Sequence, residues 1–180
     1  MTHRIALLRG INVGRAKRIA MADLRSLIED LGFSNARTLL HSGNALFEAT
    51  RRSNSEVATA LEAAISTEFG FAVPVVVLSG NDLNIIVAKN SLPHTGRDPS
   101  RLLVAFVNGA AALRKARVLA EEQWEPDALA VGSKAAYLWC VGGIIQSRLA
   151  EAFSRATGEA VTIRNWATVL KLQKAVGAGQ

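Results

Sequence analysis

The sequence predicts an α+β fold built from two ferredoxin-like halves. Three observations carry that prediction. Apolar residues switch between the period of strands and the period of helices in an order that reads β-α-β-β-α-β-α. The same order then occurs a second time. Between the two runs lies Lys89–Ser100, a stretch punctuated by Asn90, Pro93, Gly96 and Pro99 and so read as a connector. The first six elements of each run follow the βαββαβ order of a ferredoxin-like unit, and an extra helix follows each. Residues 1–89 and 102–180 therefore form the two halves, with residues 90–101 as the connector. The runs share element order without residue-level self-identity, so the repeat is one of topology.

In the first half, Arg4–Leu8 reads as a strand. Met21–Leu31 reads as a helix, because Leu24, Leu27, Ile28 and Leu31 recur on one face. Gly32 followed by Phe33 supplies a Schellman-type stop. Arg37–His41 and Ala45–Glu48 form a hairpin around Ser42-Gly43-Asn44. Ser53-Asn54-Ser55-Glu56 is a capping-box pattern that opens a helix running to Phe69, ended by Gly70-Phe71. Val73–Leu78 is a near-continuous apolar strand, buried on both faces. Ser79–Asp82 then caps a short helix reaching Ala88.

The second half repeats the pattern. Leu102–Asn108 is a strand and Ala111–Ala120 a helix. Ala128–Val131 and Ala135–Trp139 form a hairpin around Gly132-Ser133. Ile144–Thr157 is a helix stopped by Gly158, Val161–Ile163 a strand, and Asn165–Ala175 the last helix.

Composition bounds the chemistry. The 180 residues are 49% hydrophobic and 20% charged, which suits a globular protein with a sizeable core. The formal charge is +6, from 21 Lys and Arg against 15 Asp and Glu, and this favours anionic partners. The single cysteine, Cys140, excludes an internal disulfide and fits a reducing cytoplasm. No long apolar segment follows Met1-Thr2-His3-Arg4, so no signal peptide is expected, and no run approaches a membrane span.

The candidate site begins where the first strand ends. Arg9-Gly10-Ile11-Asn12-Val13-Gly14 combines two glycines, an asparagine and a cation, and Arg15, Lys17 and Arg18 follow at once. Glycines allow positive φ and let backbone N–H groups come close to an anion. The same glycines also suit a plain strand-to-helix turn. The spacing matches neither the P-loop nor the dinucleotide fingerprint.

Other chemistries lack a residue set. His3, His41 and His94 stand in separate contexts, and Cys140 has no histidine beside it in sequence. There is no C-x-x-C, H-x-x-x-H or E-x-x-H pattern, so neither a metal site nor another cofactor is expected. No carboxylate pair faces an evident cleft.

Four stretches stand out together. They are the Arg9–Gly14 loop with Met21-Ala22-Asp23-Leu24, then His41-Ser42-Gly43-Asn44. Next come Tyr137-Leu138-Trp139 with Gly142-Gly143-Ile144 and Ser147, and last Arg164-Asn165-Trp166-Ala167-Thr168-Val169 with Lys171-Leu172. In this order they resemble the bacterial family of the domain of unknown function number 1697, over nearly the whole chain. The resemblance implies two intertwined ferredoxin-like subdomains and no established activity or catalytic residue. Arg15-Ala16-Lys17 and His41 depart from the family's usual pattern, which is richer in glycine and lysine at the first place and has glutamine at the second.

Anion recognition is what the residues leave. Its candidate ligand-binding residues are Arg9, Gly10, Asn12, Gly14, Lys17, Ser42, Gly43, Asn44, Ser147, Arg164, Asn165 and Lys171. The expected arrangement brings the Arg9–Gly14 loop, the Ser42–Asn44 turn and the Arg164–Trp166 segment together. Two functional classes follow. One is a cytoplasmic site for a small phosphorylated or carboxylated ligand, a nucleotide or metabolite. The other is a nucleic-acid-binding module using a basic ferredoxin-like surface. No membrane partner is expected, and the sequence is silent on oligomeric state.

Overall fold

Strand β1 (Thr2–Leu8) lies inside the first sheet, and the reason is its composition: Ile5, Ala6, Leu7 and Leu8 are all fully buried. In the computed structural model, which describes residues 2–177, β1 pairs antiparallel with β3 (Asn44–Ala49) on one side and β4 (Val75–Ser79) on the other. Strand β2 (Ser34–Leu39) completes the order β2-β3-β1-β4. Helices α1 (Met21–Asp30) and α2 (Asn54–Phe69) share one core with Ala6, Leu8, Ala45, Phe47 and Val77 of this sheet. Leu24, Ile28, Leu61 and Ile65 supply the helical side of that core, each burial being worth roughly 1.5–3 kcal/mol.

The second sheet has the same plan. Strand β5 (Leu102–Val107) takes the inner place, helix α4 (Ala110–Leu119) follows, and β6 (Ala128–Val131) and β7 (Ala135–Trp139) form the hairpin. After α5 (Arg148–Thr157) and β8 (Val161–Asn165) the order is β6-β7-β5-β8, and α6 (Trp166–Gly177) ends the described chain. The protein is thus two ferredoxin-like α+β halves, each sheet built from four strands consecutive in sequence.

The chain divides into two compact units, one ending at Leu83 and the other beginning at Asn84. The boundary falls inside helix α3 (Gly80–Ala88), ahead of the Lys89–Ser100 stretch read as connector. Hydrogen bonds explain why the end of α3 belongs to the second unit. Tyr137 donates its hydroxyl to the Ile86 carbonyl at 2.6 Å, and Gln173 donates to the Asn84 side chain at 3.1 Å. The connector is held within the same unit. The His94 ring lies 5.0 Å from Trp166 and the Arg97 guanidinium 4.9 Å over Trp139. All three tryptophans, Trp124, Trp139 and Trp166, and the one tyrosine, Tyr137, lie in this second unit.

Local signals behave as their chemistry dictates. The Gly32 N–H bonds to Glu29 and the Phe33 N–H to Ile28, which is the Schellman closure of α1. Ser53 and Glu56 cap each other's backbone N–H at the start of α2. Several boundaries differ from expectation, and for three the backbone gives the reason. Strand β2 starts at Ser34, through a register shift at Asn35 (φ 55°), and stops at Leu39 because Leu40 turns left-handed (φ 59°). Strand β4 starts at Val75, since Pro74 has no N–H to give the ladder. The predicted Ile144–Thr157 helix is a 3-10 turn at Ile144–Gln146, an extended Ser147, and then α5. No helix among the described residues is long and apolar enough to cross a membrane.

Candidate functional site

The C-terminal end of β1 opens between two backbone ties. The Leu8 N–H donates to the Gly43 carbonyl at 2.8 Å, and the Arg9 N–H to the Pro74 carbonyl at 3.0 Å. From there the chain runs through a loop rich in left-handed residues: Gly10 (φ 69°), Asn12 (φ 55°), Gly14 (φ 62°) and Lys17 (φ 48°). The facing turn adds Leu40 (φ 59°) and Gly43 (φ 80°). Five non-glycine residues have positive φ among those described, and three of them fall in these two segments. Such backbone persists only where its surroundings over-determine it.

Asn12 is the main restraint. Its amide nitrogen donates to the Ile19 carbonyl at 2.9 Å and to the His41 carbonyl at 2.8 Å, while its oxygen accepts the Ile19 N–H at 3.0 Å. Its own N–H donates to the Lys17 carbonyl at 3.1 Å. One side chain thereby closes the loop on itself and fastens it to the turn. Asparagine suits the place because it tolerates the left-handed region and carries both a donor and an acceptor.

Gly43 makes the second contact between loop and turn. A β-carbon there would stand 2.8 Å from Leu8 Cβ and 2.8 Å from Ile11 Cδ1, so only glycine lets the turn lie this close. Asn44 is fully buried and donates to the Leu39 carbonyl at 2.9 Å and to Ser42 Oγ at 3.0 Å. Asn12, Gly43 and Asn44, read as ligand contacts, are thus bound into the scaffold that shapes the loop.

The cations of the loop lie mostly at the surface. Arg15, Lys17 and Arg18 are exposed and Arg9 is half-buried. Lys17 reaches back to donate to the Ala72 carbonyl at 2.8 Å. Val13, at 72% exposure, and the left-handed Leu40 complete the surface. Nothing in the sequence announces Leu40, because leucine carries no mark of a positive φ.

The remaining candidates lie in the second unit. Ser147 is the N-cap of α5: its oxygen accepts the Ala150 N–H at 2.9 Å, and its hydroxyl donates to Asp127 at 2.6 Å. The start of this helix already faces the protein's own carboxylate. Asn165 accepts the Thr168 N–H at 2.9 Å and so caps α6. Arg164 is half-buried, donates to Thr162 Oγ1 at 3.1 Å and to the Ile163 carbonyl at 2.9 Å, and burial pushes its guanidinium down to about 10. Lys171 is exposed on α6. The structure therefore joins the Arg9–Gly14 loop to the Ser42–Asn44 turn within one unit, and Arg164, Asn165, Ser147 and Lys171 have their places in the other.

Cys140 is buried, and burial foremost pushes its thiol up. Among the described residues no three His, Cys, Asp or Glu side chains are placed to hold a metal ion. Two grooves lie elsewhere. One of about 430 Å³ between α1 and α2 is lined by Asp23, Asp30, Glu68 and Phe69, and one of about 270 Å³ includes Trp124, Asp127, Gly142 and Arg148.

Comparison with known proteins adds fold and family. The chain is similar to a solved structure described as that of the conserved bacterial protein SP0830 from Streptococcus pneumoniae. The two share 21% identity at a TM-score of 0.75, over 97% of this chain and 98% of that one. At that identity the likeness bears on fold alone. No curated protein matches the chain significantly. The family model described as "Protein of unknown function (DUF1697)" matches residues 1–137, and the chain accordingly belongs to the DUF1697 family.

Proposed function

We propose that this protein is a cytoplasmic binding protein whose Arg9–Lys17 loop takes a small phosphorylated or carboxylated ligand, such as a nucleotide or metabolite. One observation carries the reading: a loop fixed in a left-handed course by Asn12 and bearing Arg9, Arg15, Lys17 and Arg18 around it. A backbone fixed before binding loses little entropy on meeting its ligand. Hydrogen bonds from its cations to an anion are of the charge-assisted kind, each worth roughly 1.5–3 kcal/mol.

The test is an NMR titration of labelled protein with inorganic phosphate and a panel of nucleotides and carboxylates. The expected result is saturable shifts confined to residues 9–20 and 40–44. The double variant Arg15→Gln, Arg18→Gln should weaken binding by about tenfold or more and leave stability unchanged, since exposed arginines contribute little to folding. Shifts scattered over the surface, or none with any anion, refute the reading. Tight binding of single-stranded oligonucleotides, weakening with salt at a log-log slope of about −0.7 per phosphate contacted, would instead favour a polymer ligand.

A further inference from the structure

The groove of about 430 Å³ between α1 and α2 has an apolar floor and an acidic rim. Leu27 is buried in the floor, while Leu31, Ala64 and Phe69 pack against the first core and stay half-exposed. Asp23, Asp30 and Glu68 form the rim. All three are exposed, and among the described residues their side chains make no hydrogen bond or ion pair. The other charged groups of these helices are mostly committed to the fold. Glu56 caps α2, Glu62 accepts the Val75 N–H at 2.8 Å, and Arg25 donates to Thr38 at 3.0 Å. Arg25 is also the one cation that α1 and α2 share, in a chain of net charge +6. Asp30 and Glu68 stand in the last turns of their helices, and neither turn has a basic residue. Carboxylates there oppose the helix dipole, so the helices themselves gain nothing from them.

The chain carries a surface of the opposite kind. Helix α4 has three cations, Arg114, Lys115 and Arg117, and no carboxylate. All three are exposed, and among the described residues their side chains likewise make no hydrogen bond or ion pair. Val118, at 63% exposure, falls between Lys115 and Arg117 around the helix, with Arg114 one turn before it. An exposed apolar side chain ringed by cations is the complement of an apolar floor rimmed by carboxylates. The lengths agree as well. Asp23, Leu27 and Asp30 recur at i, i+4 and i+7, a stripe roughly 10 Å long, and α4 spreads its cations over about 5 Å, within reach of both ends for long side chains.

We propose that the groove between α1 and α2 is the docking site for helix α4 of a second copy of this chain. Val118 enters between Leu27, Leu31 and Phe69, and Arg114, Lys115 and Arg117 pair with the carboxylates of the rim. Charge sets the direction of the contact. An acidic groove repels another acidic groove, so the groove of one copy meets the helix of the next, a heterologous arrangement that can add further copies. One helix covers less than the roughly 1,200–2,000 Å² of a stable complex, so the association is weak, and salt weakens it further.

Sedimentation of the full chain across a concentration series, at low and at high salt, tests this. The weight-average mass should climb above 19.2 kDa with concentration, and climb less in high salt. Asp30→Lys with Glu68→Lys disables the groove, and Arg114→Gln with Arg117→Gln disables the helix. Each double variant alone should lose self-association by about tenfold or more. Mixed in equal amounts they should associate again, because the first keeps an intact helix and the second an intact groove, and the mass should stop at that of two chains. Circular dichroism on the same samples checks folding. Should the lysine variant unfold, Asp30→Asn with Glu68→Gln decides. Freed of two carboxylates at helix C-termini, it should melt no lower than the parent and associate less. A parent chain monomeric at every concentration overturns the proposal. So do variants that stay apart on mixing, or a neutralised groove that associates like the parent. Spermidine that shifts the amide signals of residues 23–31 and 64–69 in a monomeric chain would give the groove to a small cation, and overturns it too.

Discussion

Removing the Asn12 side chain should cost the first unit more than any other single change in its loops. Asn12→Ala deletes three hydrogen bonds of 2.8–3.0 Å, two donated and one accepted. At roughly 1 kcal/mol net apiece, that is about 3 kcal/mol. Alanine at φ 55° adds left-handed strain of about 1 kcal/mol, for a total near 4 kcal/mol. Asn12→Gly loses the same bonds without the strain, and should sit about 1 kcal/mol above the alanine variant. Asn12→Asp keeps the bond from the Ile19 N–H but turns a carboxylate toward the carbonyls of Ile19 and His41. Its deficit should shrink as the pH falls and the acid, protonated, becomes a donor. Urea unfolding followed by far-ultraviolet circular dichroism gives the totals. Amide exchange at Ile19, whose N–H the asparagine holds, gives the local opening. If Asn12→Ala loses less than about 1 kcal/mol and the Ile19 amide stays protected, the loop is ordered by something else and the reasoning fails.

Two further outcomes follow from the same geometry and from the core of the second unit. Gly43→Ala should destabilise by about 2–4 kcal/mol, because positive φ strain adds to a clash with Leu8 Cβ at 2.8 Å, whereas Gly10→Ala, with open space around it, should cost only about 1 kcal/mol; equal losses in chemical denaturation would refute the close approach. Tyr137 is pushed up to about 12 by burial, so its phenol stays protonated in the folded state beyond the pH at which an unfolded tyrosine ionises. The contribution of Tyr137 to stability should therefore be level below about pH 10 and be lost as the pH rises toward 12, read as the difference between the parent and Tyr137→Phe; ultraviolet titration of this sole tyrosine should place its ionisation well above 10, and a midpoint near 10 in the folded protein would contradict its burial.

The parts legible in the sequence were those decided by neighbours in the chain. The Gly32-Phe33 stop and the Ser53/Glu56 cap involve atoms a few residues apart, and their geometry follows from residue type. The element order followed from apolar period, which holds over whole segments. Boundaries failed where a single backbone angle decided them. The helix expected from Ile144 is broken by an extended Ser147, and β2 ends early because Leu40 is left-handed. The site was legible as a place and less so as a set of roles. Asn12 and Asn44 are the residue types that bind anions, but they are also the types that tie loops. Their partners, Ile19, His41 and Leu39, are apolar or offer only a backbone carbonyl, so no side-chain pattern marks them.

The placement of every tryptophan and of the only tyrosine in the second unit has a practical consequence. Intrinsic fluorescence sees one half of this protein. Excited indole reports on the surroundings of Trp124, Trp139 and Trp166, while the loop held by Asn12 and the turn at Gly43 lie in a half whose aromatic residues are all phenylalanine. A fluorescence melt of an Asn12 variant can therefore match the parent while the first sheet has already come apart. Any disagreement between a fluorescence curve and a circular-dichroism curve then measures how independently the halves unfold. A single phenylalanine-to-tryptophan change at the C-terminal end of α2, for instance at Phe69, which packs against the first core, would give the silent half a lamp of its own.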